Sequence, residues 1–242
     1  MLVAAMWGAI ASLSLLVGSI AGLFLMIPKR IIAYFMALGT GILIGASSFE
    51  LLIKSVHKSG IITTAITFLT GAGLFTLIEI FLYKKGGSNR KRSHKNPEGH
   101  SGLAIYIGTL MDAIPESMII GLSLLITQKV DMLFLIAIFI SNFPESLSST
   151  VGLKKDNYSN KKILFLWSSV ILISAISSSV GYLFLENASA VMLSGIQSFG
   201  AGGLIAMVCS TMLPEAFEQG GPTVGFVACM GLIFSLSMSH LG

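Results

Sequence analysis

The sequence predicts an all-α integral membrane protein, a single domain of eight transmembrane helices. Three observations carry that prediction. Of the 242 residues, 54% are hydrophobic and 11% are charged, with a mean hydropathy of +0.86, whereas soluble domains carry about 25% charged residues. The apolar residues are gathered into runs long enough to cross a bilayer as helices, not into the short alternating segments of a barrel. The basic residues are also sided: Lys29, Arg30, Lys84, Lys85, Arg90, Lys91, Arg92, Lys95, Lys154, Lys155, Lys161 and Lys162 fall after the first, third and fifth runs, and only Lys54, Lys58 and Lys129 fall on the other side.

Spans are expected at 2–27, 31–53, 61–83, 101–127, 132–153, 163–185, 188–214 and 222–241. The positive-inside rule then makes the basic loops cytoplasmic and both termini extracytoplasmic, as in a multi-pass protein of the cell membrane. Orientation accounts for the net charge of +4 without a nucleic-acid partner. The first run lacks a basic start and a small-residue cleavage site and exceeds the core of a signal peptide, so it is expected to be retained.

Gly8, Ser12, Ser14, Gly18, Ser19 and Gly22 in the first span are small residues spaced for close helix packing. The second span contains Gly39-Thr-Gly41 and ends near Glu50, which reads either as an interfacial partner of Lys54 or as part of an entrance funnel. Glu79 and Tyr83 close the third span, where Glu79 is placed to meet Lys84 or Lys85. The stretch 84–101 is polar, basic and rich in Gly, Ser and Asn, and is expected to be a flexible cytoplasmic loop. Its His94 and His100 are too few to define a metal site.

The fourth span carries Asp112-Ala-Ile-Pro-Glu-Ser117. Asp112 and Glu116 are one helical turn apart on one face, and Pro115 between them removes a backbone donor and kinks the helix. The fifth span repeats the pattern as Ser141-Asn-Phe-Pro-Glu-Ser146, with Ser141 and Asn142 one turn before Glu145. Consecutive spans are antiparallel, so the two motifs can meet at one depth and offer Asp112, Glu116, Ser141, Asn142 and Glu145 to a divalent cation. Acids this deep in apolar surroundings are costly unless protonated, paired or bound to a cation, and no Lys or Arg lies within the expected spans.

The serine-rich sixth span, with Ser168, Ser169, Ser174, Ser177, Ser178 and Ser179, suits close packing or lining of an ion path. The seventh carries Gly200-Ala-Gly-Gly203, an echo of Gly39-Thr-Gly41, and ends with Glu215 and Glu218, placed to assist ion exit or to face water. Cys209 and Cys229 fall in spans without metal-site spacing and are expected to pack as small apolar residues. His240 is assigned no role.

The two Pro-Glu motifs in this topology resemble those of the ZIP family of divalent-metal transporters. The resemblance implies an eight-span bundle with a 3+2+3 inverted repeat, and a homodimer. It also implies an elevator-like motion of spans 1, 4, 5 and 6 against spans 2, 3, 7 and 8. Where the family motif has histidine and asparagine on span 4, this chain has Asp112 and Ala113, and Ser117 and Ser146 replace the glycines after each glutamate. The family's Glu-Pro pair on span 6 has Ser178-Ser179 as its nearest equivalent, so a single-metal site is expected. Carboxylate in place of imidazole favours harder cations such as manganese and iron(II) beside zinc.

The expected function is therefore secondary transport of a divalent metal cation, with no prosthetic group and the metal as cargo. Glu50, Ser178, Glu215 and Glu218 are candidate pathway residues. A metal sensor or scaffold on the same fold is the alternative. An enzyme is not expected, since no span pairs a nucleophile with a mid-span His or Lys.

Overall fold

The computed structural model describes residues 1–84, 101–127 and 129–241. Among these every regular element is helical, and eight helices are long and apolar enough to cross a membrane. They are α1 Leu2–Phe24, α2 Lys29–Ser59, α3 Ile61–Lys84, α4 Ser101–Thr127, α5 Met132–Lys155, α6 Asn160–Leu185, α7 Ala190–Gly220 and α8 Thr223–Leu241. The chain is thus a multi-pass membrane protein. His94, His100 and the body of the 84–101 loop lie outside the described residues, as do the side chains of Lys84 and Lys85 expected to meet Glu79.

Local chemistry sets the helix ends. Asp131, Ser159 and Ser189 cap α5, α6 and α7, each side-chain oxygen accepting from the backbone N–H three residues on. Gly60 and Gly221, with φ of 79° and 74°, end α2 and α7 in a conformation that glycine adopts without strain.

Two spans run further than the sequence suggested. Residues 54–59 and 215–220 are polar enough to read as loop, yet nothing breaks either helix before its terminal glycine. Each instead passes through a π-helical turn, Ser47–Ile53 in α2 and Val208–Met212 in α7. As a result Lys54 lies within a continuous helix, contrary to the expectation of spans free of basic residues.

The helices associate in two groups. In one, α1 packs along α5 and α6, and α4 packs along α6. In the other, α2 packs along α8, α3 along α7, and α2 touches α7. The groups meet where α2 lies on α5 and where α4 lies on α7. Within the second group backbones nearly touch at glycines: Gly41 faces Ala228 and Gly231 faces Leu38 between α2 and α8, and Gly202 faces Phe68 and Gly71 faces Phe199 between α7 and α3. Such approaches maximise dispersion contact where lipid supplies no hydrophobic drive to associate.

Burial follows this plan. Helices α2 and α5 are the most enclosed, whereas α3 and α8 expose most of their apolar surface, as helices against lipid do. Cys209 and Cys229 are exposed free thiols, so neither packs inside as expected; both sit on outward faces of α7 and α8.

Candidate cation site

Both proline motifs lie inside helices without interrupting them, Pro115 in α4 and Pro144 in α5. The helices hold because neighbouring turns and side chains in a bundle absorb the missing donor. The expected acids are all withdrawn from the surface: Asp112, Glu116 and Glu145 are 2%, 1% and 7% exposed. Ser141, Asn142 and Ser178 are buried as well.

Contacts differ along the motifs. Glu145 accepts a hydrogen bond from Thr109 Oγ1 of α4 at 2.9 Å, which ties the two motif helices together. Thr109 escaped the sequence reading, although it lies one turn before Asp112 on the same face, and that spacing could have marked it. Ser141 turns its hydroxyl back onto its own helix, donating to Ile138 O at 3.0 Å. The amide nitrogen of Asn142 and the hydroxyl of Ser178 make no hydrogen bond among the described residues.

The motifs face different surroundings. Ser141 is pressed against α2, where a Cβ built on Gly39 would stand 2.8 Å from Ser141 Cα. Asp112 and Pro115 instead line a cavity of about 220 Å³ shared with Gly71, Leu74, Gly200 and Met207 of α3 and α7. Ser178 lies at the α1–α4–α6 junction, against Gly8 and Gly121.

The outlying candidates separate. Glu50 is buried, held by Lys54 on its own helix and by Ser239 Oγ of α8 at 2.6 Å. Glu215 is also buried, accepting from Ser148 Oγ of α5 at 3.3 Å and from Gln219 Nε2 at 3.3 Å. Glu218, one turn along from Glu215, is exposed.

No three His, Cys, Asp or Glu side chains among the described residues stand close enough together to hold a metal ion. Chemically, the arrangement offers three deep carboxylates on two antiparallel helices, hydroxyl and amide oxygens beside them, and an open volume next to one. No family model matches the chain, and no curated protein matches it.

Proposed function

We propose that this protein is a secondary transporter that carries a divalent metal cation into the cytoplasm through the site on α4 and α5. The observation that carries the reading is the burial of Asp112, Glu116 and Glu145 at membrane depth on two helices whose middle turns hold no Lys or Arg. Removing several carboxylates from water costs several kcal/mol per ion unless a proton or a cation compensates each. In an antiparallel pair the compensating cation is shared, and the two Pro-Glu turns supply its oxygens. No three of the acids are gathered into a cluster among the described residues; cation binding draws them together, and Glu145 exchanges its bond from Thr109 for the metal. Oxygen donors without imidazole suit manganese or iron(II) at least as well as zinc.

The packing plan supports an inverted repeat. The two π-helical turns, the two positive-φ glycines and the two sets of glycine contacts recur in the same order along α2–α3 and α7–α8. Repeats of this kind in transporters place cargo near the midplane and let one group of helices move against the other. The siding of the basic loops supports an orientation with those loops cytoplasmic and both termini outside, as expected for a cell-membrane protein. The family resemblance adds a homodimer.

A second reading, a metal sensor or scaffold, is favoured by the absence of a ready-made metal cluster among the described residues. Uptake into proteoliposomes separates the two. Across zinc, manganese, iron(II), cadmium, cobalt and magnesium, saturable uptake of at least one ion is expected, falling more than tenfold in Glu116→Ala and in Glu145→Ala. Folded protein that moves none of these ions above empty vesicles would sink the transporter and leave the sensor.

A further inference from the structure

We infer that Lys54 and Asp131 form a breakable latch between the two helix groups, at the end of the bundle where α2 finishes and α5 begins. The inference rests on the transporter reading for its purpose, but its geometry stands apart from the candidate cation site.

Three contacts in this cluster stay within one group. Glu50 and Lys54 pair one turn apart on α2, just beyond the π-helical turn. Ser239 donates to Glu50 from α8, at 2.6 Å, in the same group. Asp131 caps α5, its Oδ1 accepting from Phe134 N–H at 3.0 Å. The fourth contact crosses between the groups: Lys54 Nζ stands 3.5 Å from Asp131 Oδ2, with the Glu50 and Asp131 carboxyls against each other across the same boundary.

That division makes Lys54 the swinging part. Both carboxylates are fixed from behind, Glu50 by α8 and Asp131 by the helix it caps, and their side chains are 8% and 14% exposed. The Lys54 side chain is 45% exposed, so it has more room to move than either carboxylate. At 3.5 Å the cross-group contact is outside the 2.7–3.2 Å range of a good hydrogen bond and is an ion pair that salt and water weaken. If the groups part, Lys54 keeps Glu50 and gives up Asp131, whose carboxylate retains its cap bond from Phe134 N–H. The π-helical turn supplies the offset: one extra residue per turn re-aims the following side chains, and such turns gather at working parts of helices.

The ionisable groups around Asp131 are Glu50 and Lys54 from α2, Lys129 two residues before it, and His240 next to Ser239 on α8. Burial, with the neighbouring Glu50, pushes the Asp131 carboxyl up to about 6, against the pull of Phe134 N–H and Lys54. The pair is therefore formed at neutral pH and loses its charge on mild acidification.

The test uses the full chain in vesicles with Cys209→Ser and Cys229→Ser, and spin labels on Lys58→Cys and Met132→Cys, both exposed positions flanking the latch. The parent is expected to show one main distance. Lys54→Gln and Asp131→Asn should each add a longer population at least threefold above the parent's, and Lys54→Arg should not. An unchanged distribution in both Lys54→Gln and Asp131→Asn, or the same widening in Lys54→Arg, overturns the latch. Metal uptake is measured on the same vesicles: distances that respond in protein without uptake defeat the transporter reading and keep the latch, whereas uptake with unresponsive distances does the reverse.

Discussion

The motif on α5 and the motif on α4 share Pro, Glu and Ser at the same spacing, yet one is clamped and the other has space beside it. Around Ser141 the chain of α2 comes so close at Gly39 that no side-chain atom fits between. Around Asp112 the corresponding glycine segment of α7 stands off behind a cavity of about 220 Å³. Similar sequences in dissimilar packing show that the two helices have different partners to satisfy: α5 lies directly on α2, and α4 borders a cavity on its α7 side.

The sharpest way to break this comparison is to add bulk to each glycine. A Cβ on Gly39 meets Ser141 backbone at 2.8 and 3.0 Å, which rigid helices cannot yield. A Cβ on Gly200 meets the Cδ1 and Cγ1 tips of Ile119 at 2.5 and 3.0 Å, which can swing aside. Replacing glycine in a helix gains up to about 1 kcal/mol of propensity, while overpacking costs about 1–3 kcal/mol or more. Gly39→Val is therefore expected to destabilise by about 3 kcal/mol, and Gly200→Val by about 1 kcal/mol or less. Thermal unfolding in detergent measures both; equal losses would mean that the two interfaces are equally tight.

A smaller effect sharpens the link between the motifs. Thr109→Val keeps the shape of the side chain and deletes its bond to Glu145. Leaving a buried carboxylate one donor short costs about 1–3 kcal/mol. A double-mutant cycle of Thr109→Val with Glu145→Met, which removes the acceptor, should return a coupling of at least about 1 kcal/mol; additive losses would show that the bond does not join α4 to α5 energetically.

The sequence made the class and number of helices plain because apolar length is a one-dimensional property, and each span is a run that can be counted. It also marked the buried acids, since Asp112, Glu116 and Glu145 stand out against apolar neighbours. It hid what depends on rotation and continuity. The polar residues 54–59 and 215–220 look like loops, and only the π-helical turns before them show that the helices continue. Thr109 carried only its spacing one turn before Asp112, and nothing in the sequence names Glu145 as its partner across the helix pair. The unequal fit of two near-identical motifs was out of reach altogether, because it is set by how closely α2 and α7 approach from outside.

The smallest expected effect concerns pH, and in it stability and the latch move in opposite directions. The Asp131 carboxyl, raised from 3.8 to about 6, holds its proton in the folded protein over a range in which the unfolded chain has lost it. The folded state binds more protons there, so this residue's contribution to stability is largest below pH 4 and declines as pH rises through 6. The ion pair with Lys54 runs the other way, forming as Asp131 ionises near 6 and dissolving as the pH falls. Acidifying from pH 7 to 5 should thus raise the melting temperature of the parent relative to Asp131→Asn by about 2 °C, while the longer spin-label distance grows in the parent and stays constant in the variant. A melting temperature that fell on acidification, or a distance that stayed constant in the parent, would place the titration on another group and separate Asp131 from the opening of the bundle.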